Sequence, residues 1–261
     1  IVLAAATSSD SNYNGVNPDD VSVSNTDNNT AGFTVSAISG ATTEAAGTAT
    51  FTVVLTSEPT SDVTIGVSSS DTGEGTVNTA SLVFTDSNWA SAQTVTVSGV
   101  NDDIDDGNQA YNIVLAAATS SDSNYNGVNP NDVSVINTDN DTKGITVSAI
   151  SGTTTEAAGT ATFTVVLTSE PTSDVTVGVS SSDTGEGTVN TASLTFTDSN
   201  WASAQTVTVS GVNDDIDDGN QAYNIVLAAA TSSDSNYNGV NPDDVSVTNS
   251  DNDTKGITVS A

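Results

Sequence analysis

The chain repeats itself at a fixed period of 112 residues: residues 1–149 recur as residues 113–261 with eleven substitutions. The run Ile1–Asp10 returns at Ile113–Asp122 and again at Ile225–Asp234. Solenoid units run about 20–50 residues, so this period is too long for one. It suits a complete small domain, typically on the order of 100 residues. Each unit must therefore bury its own core, and near-identical units must share one fold. Phasing the repeat gives two whole units, 32–143 and 144–255. Residues 1–31 correspond to the C-terminal strands of a preceding unit and residues 256–261 to the first strand of a following one. Neither fragment has enough apolar surface to fold alone. That is expected of a chain cropped from a longer array, or of ends that pair with strands of another molecule.

Within a unit the pattern is period-two alternation rich in Val, Thr, Ile and Phe, punctuated by Ser, Asn, Asp and Gly. It predicts seven strands in the first whole unit, over 33–36, 48–56, 62–68, 81–85, 93–99, 110–117 and 132–137. In the second of these Ala49, Phe51, Val53 and Leu55 point one way and mostly Thr the other. No segment carries a 3.6-residue apolar stripe for a helix length. The run Val114–Ala118 could open a helix, but Tyr111 and Ile113 before it favour a strand. Seven short strands without internal proline predict an all-β chain of tandem immunoglobulin-like, seven-stranded β-sandwiches in a linear array. Trp89 and Trp201 are expected to cover the edge of each core.

Composition narrows function. There are 33 acidic residues against two basic ones, Lys143 and Lys255, and the net charge is −31. Nucleic acid and anionic membrane surfaces both demand a basic face, so both are excluded as partners. The chain has no Cys and no His, which removes zinc, haem and iron–sulfur ligand sets and the common nucleophile–histidine pairs. No stretch approaches the roughly 20 apolar residues of a membrane-spanning helix.

The acids are not evenly spread. If successive strands run up and down, alternate loops fall at alternate poles of the sandwich. The pole from which the chain leaves, here the exit pole, receives Glu44, Asp71, Glu74, Asp102, Asp103, Asp105, Asp106, Asp139 and Asp141. The opposite, inlet pole receives Glu58, Asp62, Asp86, Asp122 and Asp132. Two unit charges about 5 Å apart repel by roughly 0.8 kcal/mol in water and roughly 3 kcal/mol at an effective dielectric of about 20. Converging carboxylates therefore call for a hard divalent cation. Ca²⁺, which takes about six to eight oxygens in flexible geometry, suits acidic loops better than Mg²⁺. The run Asn101–Gly107 lacks the spacing of an EF-hand loop, which closes on a terminal Glu.

Three stretches carry a family resemblance: Thr43–Phe51 (Thr-Glu-Ala-Ala-Gly-Thr-Ala-Thr-Phe), the acidic run Asp102–Gly107, and Asn137-Thr-Asp-Asn-Asp141. Together they resemble the Calx-beta domain, in both whole units and both fragments. The resemblance implies a calcium-binding immunoglobulin-like sandwich of the kind found in sodium–calcium exchanger regulatory segments and bacterial surface adhesins. It implies Glu44, Asp71, Asp102, Asp103, Asp106, Asp139 and Asp141 as calcium ligands in the first unit. In the second they are Glu156, Asp183, Asp214, Asp215, Asp218, Asp251 and Asp253. Many family members carry Glu where this chain has Asp106 and Asp218, and residue 29 is Asn where the later units have Asp141 and Asp253.

Only Thr142, Lys143 and Gly144 separate Asp141 from the next predicted strand, so the exit pole of one unit should abut the inlet pole of the next. The expected function is structural rather than enzymatic: a calcium-binding extender or stalk of a secreted bacterial surface protein, such as an adhesin. Its expected partners are calcium ions, neighbouring repeats of the same chain and possibly other copies in a fibre, at an extracellular or cell-surface location. A self-assembling filament or surface-layer subunit, and a calcium sensor, are the alternatives. Asn28, Asn140 and Asn252 sit in Asn-x-Thr sequons, but each lies beside an expected ligand, which argues against glycosylation there.

Overall fold

The computed structural model describes residues 1–259. Among them lie 19 strands and no helix. The first set comprises β1 (Phe33–Val35), β2 (Thr42–Thr43), β3 (Thr48–Leu55), β4 (Val63–Ser69), β5 (Gly75–Val77), β6 (Ser81–Phe84), β7 (Gln93–Gly99), β8 (Gln109–Leu115), β9 (Thr119–Ser120) and β10 (Val133–Thr138). The second comprises β11 (Ile145–Val147), β12 (Thr154–Thr155), β13 (Thr160–Leu167), β14 (Val175–Ser181), β15 (Gly187–Val189), β16 (Ser193–Phe196), β17 (Gln205–Gly211), β18 (Gln221–Leu227) and β19 (Val245–Ser250). Each set makes two facing sheets. In the first, β1-β3-β7-β5 faces β2-β10-β8-β4-β6, with β9 added to β4. In the second, β11-β13-β17-β15 faces β12-β19-β18-β14-β16. The chain is thus two immunoglobulin-like sandwiches in tandem.

The alternation read from the sequence makes these sheets two-faced. Along β3, Ala49, Phe51, Val53 and Leu55 are buried and the threonines between them face outward. Phe51, Val53 and Leu55 meet Val63, Ile65, Phe84, Tyr111, Ile113 and Leu115 from the facing sheet in one core, and the second set repeats that core. Each fully buried Val, Leu or Phe contributes about 1.5–3 kcal/mol, which is what holds a domain without disulfides together. Trp89 and Trp201 are partly buried against the core edge, as expected. The seven predicted strands correspond to β1, β3, β4, β6, β7, β8 and β10. Three short strands, β2, β5 and β9, are additional.

Of these, β2 matters most for function. After Val35 the chain leaves the first sheet; the Ser36 and Ser39 hydroxyls accept the backbone N–H groups of Thr52 and Thr50 at 2.9 Å each. The chain then crosses to the other sheet, where β2 pairs in parallel with β10, Thr42 opposite Asn137. Glycine is required where this crossing passes β7: a Cβ on Gly99 would collide with the Thr43 carbonyl and Asn137 Oδ1. Glu44 follows at once, in a tight turn with Ala46 at a left-handed φ of 60°. The crossing therefore delivers Glu44 beside the end of β10.

Residues 1–31 contain none of the strands. They keep the hairpin pairing of their repeats, Ile1 and Val21 exchanging N–H···O bonds of 2.7 and 3.0 Å. Ile1, Val21 and Val23 are exposed where their counterparts Ile113, Val133 and Val135 are buried. Residues 256–259 carry no strand. The rest of the segment 256–261, expected to open a further unit, lies outside the described residues.

Candidate metal centre

Asn137 is the foundation of the exit pole. It is buried in β10; its Oδ1 accepts from the Thr42 hydroxyl at 3.0 Å, which in turn lies 3.0 Å from the Tyr111 hydroxyl. Its Nδ2 donates to the Val100 carbonyl at 2.9 Å and to Glu74 Oε2 at 3.3 Å. Asn249, Thr154, Tyr223, Val212 and Glu186 repeat this network in the second sandwich. Buried polar groups satisfied this fully lock the surrounding loops in one arrangement.

Above this network the acids sort into two groups per sandwich. One is Glu44, Asp139 and Asp141; the other is Glu74, Asp102 and Asp106. The second sandwich repeats them as Glu156, Asp251, Asp253 and Glu186, Asp214, Asp218. In each group the three carboxylates place one oxygen apiece within 4.8 Å of one another. Backbone donors fix several of these side chains. Asp139 accepts from Gly107 N–H at 2.7 Å and from Asp141 N–H at 2.6 Å. Glu44 accepts from both the backbone and side-chain nitrogens of Asn140, at 2.9 and 3.1 Å. The sequon residue Asn140 is thus engaged within the centre.

Two expected ligands of each sandwich fall outside these three-carboxylate groups. Asp71 is exposed and its Oδ1 accepts the Gly73 N–H at 2.9 Å, closing a local turn, as Asp183 does with Gly185. Asp103 and Asp215 stand outside the three-carboxylate groups but lie close enough to raise the Asp141 and Asp253 carboxyls; the Asp103 backbone carbonyl also accepts from Glu170 N–H at 2.6 Å. Glu74, assigned by sequence only to the acidic pole, is brought into the second group, as is its counterpart Glu186 in the second sandwich. The signal available was that same pole assignment, since nothing in the spacing separates Glu74 from Asp71.

The electrostatics of the groups are strained. Burial raises the Glu44 carboxyl above its ordinary value, against the Asn140 hydrogen bond that lowers it, and Asp139, Asp102 and Asp141 raise it further. Burial is also the leading cause that raises Glu74, Asp106 and Asp141, with neighbouring carboxylates adding to each. Asp253 is raised in the same way. At Glu156 the Asn252 hydrogen bond lowers the carboxyl, but burial with Asp251, Asp253 and Asp214 outweighs it. Asp251 is the exception, lowered by N–H donation from Asp253 and Gly219. One observation tests whether a cation fits. Asp141 Oδ2 and Asp253 Oδ2 are buried and have no hydrogen-bond partner. A buried carboxylate oxygen without a hydrogen-bond donor is the kind of group a hard metal ion satisfies, and the set is all oxygen. The groups could hold a metal ion.

The profile of the Calx-beta domain matches this chain twice, over residues 24–141 and 138–253. The chain belongs to the Calx-beta family. Both tandem Calx-beta domains carry the paired acidic groups. Among solved structures, the chain is similar to the calcium binding domain CBD12 of CALX1.1, with 15% identity over 78% of this chain and 79% of that one, at a TM-score of 0.34. It is similar to CBD12 from CALX1.2, with 15% identity over 75% and 79% and a TM-score of 0.32. It is also similar to the E. coli chaperone DraB, with 8% identity over 84% and 98% and a TM-score of 0.30. These superpositions are loose, so membership rests on the sequence match. Comparison with curated proteins finds no match.

Proposed function

We propose that this chain is a calcium-binding structural repeat region, a stiff extender within a secreted surface protein such as a bacterial adhesin. Each repeat is a Calx-beta domain, 32–143 and 144–255, flanked by parts of two more. The observation that carries the reading is the position of the orphaned Asp141 Oδ2. It lies in the last residues before the strand that opens the next sandwich, so an ion bound there touches the joint. Glu44, Asp139 and Asp141 would hold one ion and Glu74, Asp102 and Asp106 another, with Glu156, Asp251, Asp253 and Glu186, Asp214, Asp218 as their counterparts. Asp71, Asp103, Asp183 and Asp215 would lie in an outer ring, reaching an ion through water. Calcium suits the site better than magnesium because it accepts irregular oxygen sets, whereas magnesium demands near-octahedral geometry and keeps its water.

The bound ion supplies positive charge where carboxylates crowd. The residues do the rest: Gly107 and Asp141 N–H groups orient Asp139, and Asn140 orients Glu44. Near-identical copies suit a spacer, whose value grows with length, more than an enzyme, for which one site would serve. Extracellular modules bind calcium at about 0.1–1 mM, so such a stalk would be ordered outside cells. Small-angle scattering of the two-sandwich chain tests this. Chelator should shorten or broaden the distribution of interatomic distances and calcium should restore an extended rod. An identical distribution in both conditions would end the proposal.

A further inference from the structure

The loops 101–107 and 213–219 have the same seven residues, Asn-Asp-Asp-Ile-Asp-Asp-Gly, but not the same shape. Asp215 takes a left-handed φ of 64°, whereas Asp103 does not. Ile216 is 57% exposed, and residues 214–218 are all exposed, whereas Asp102, Ile104 and Asp105 are partly shielded. What separates the loops is their surroundings: the sandwich β11–β19 sits against the first of them. The Asp103 carbonyl accepts the Glu170 N–H at 2.6 Å. The Asp105 carbonyl accepts from Asn236 Nδ2. Asn236 Oδ1 accepts in turn from Lys143 Nζ at 3.2 Å, and Lys143 N–H donates to Asp105 Oδ2 at 2.9 Å. One amide of the second sandwich thus engages both the acidic loop and the linker of the first.

The inlet pole is built in advance for this. Asp234 is buried; its Oδ1 accepts Asn236 N–H at 2.8 Å and its Oδ2 accepts Thr172 N–H at 2.8 Å. That carboxylate ties the two inlet loops together, so Glu170 N–H and the Asn236 amide are presented as a fixed pair. A docking surface held in its bound form loses little entropy on contact. We propose that Asn236 is the specificity-determining residue of the joint, a latch by which a sandwich recognises the acidic loop and lysine of the one before it and sets the angle between them without a bound cation. The latch uses carbonyls, an amide and an ammonium, none drawn from the three-carboxylate groups. It rests on the reading of the chain as an array and adds a second, ion-independent element to its joint.

The chain has no cysteine, so two introduced cysteines can be labelled uniquely. Ser91→Cys and Ser203→Cys place spin labels at exposed, equivalent positions of the two sandwiches. Double electron–electron resonance in chelator should give one dominant distance peak for the otherwise unaltered chain, which calcium narrows further. Asn236→Ala should lose that peak to a broad distribution, at an unchanged melting temperature. Asn124→Ala, the same residue in the first sandwich and away from this joint, should leave the peak intact. A dominant peak that survives in Asn236→Ala, or a parent chain in chelator with no dominant peak, would overturn the latch. Neither result would touch calcium binding, which is read separately by titration.

Discussion

Replacing both orphaned aspartates, Asp141→Asn with Asp253→Asn, should stabilise the protein in chelator and make it less responsive to calcium. At 4.8 Å, two unit charges repel by about 0.9 kcal/mol in water and about 3.5 kcal/mol at an effective dielectric of about 20. Asp141 faces Glu44 and Asp139, so neutralising it removes two such terms, roughly 2–7 kcal/mol before screening. Asp139 and Asp141 are only partly shielded, and Glu44 and Asp139 already accept from backbone donors, which favours a value near the low end, about 1–3 kcal/mol for Asp141. For a domain of this size the melting temperature should rise by about 3–5 °C per kcal/mol in EDTA. Calcium reverses the order. An ion at 100 times its dissociation constant stabilises the folded form by about 2.7 kcal/mol per site, and the variant forfeits much of this. Differential scanning calorimetry with EDTA and with millimolar calcium should show the two melting curves exchanging places. A variant that melts lower than the parent in EDTA would mean that Asp141 makes a structural bond, and the repulsion argument would be refuted.

The same carboxylates give the metal-free protein an unusual pH profile. Glu44, Glu74, Asp106, Asp141, Glu156 and Asp253 are raised in the folded state. The folded form then binds more protons than the unfolded one, so stability in EDTA should increase as pH falls from neutrality toward the ordinary carboxylate values. Asp122 is lowered by the Thr60 and Asn124 N–H groups, and Asp251 is lowered too. Their contribution is lost below those values, so stability should peak in mild acid, and a monotonic fall from neutrality would contradict the shifts. Tyr125→Phe removes hydroxyl contacts to the Ser57 carbonyl at 2.6 Å and Ser57 Oγ at 2.9 Å; urea titration should show a loss of about 1–2 kcal/mol. Ala46→Gly relieves the left-handed φ of 60° and, after the unfolded-state entropy of glycine, should stabilise by about 0.5–1 kcal/mol. Gly99→Ala should cost about 2 kcal/mol or more and weaken calcium binding as well, because the collision displaces the crossing that carries Glu44.

Much of this architecture was legible in the chain itself. Alternation such as Ala49, Phe51, Val53, Leu55 is decisive over eight residues, and up-and-down strands then oblige Glu44, Asp102–Asp106 and Asp139–Asp141 to share a pole. The strands β2, β5 and β9 were not legible, since two or three residues are too few to show a period. Nor was the division of the pole into two groups. It depends on Asn137 drawing Glu74 inward while Asp71 folds back onto Gly73, a choice made by hydrogen bonds between loops distant in sequence. The joint was legible only as a place. That Asn236 would meet Asp105 and Lys143 follows from the docking of two folded bodies, which no local pattern encodes.

The central claim is that the carboxylates of each Calx-beta domain bind calcium. Isothermal titration calorimetry of the chelated chain, with calcium and with magnesium in parallel, tests it most directly. Saturable calcium uptake by both domains with dissociation constants of about 1 mM or tighter, weak uptake of magnesium, and loss of sites in Glu44→Gln with Glu156→Gln are expected. No saturable uptake at several times that concentration, or uptake unaltered by those substitutions, would contradict it.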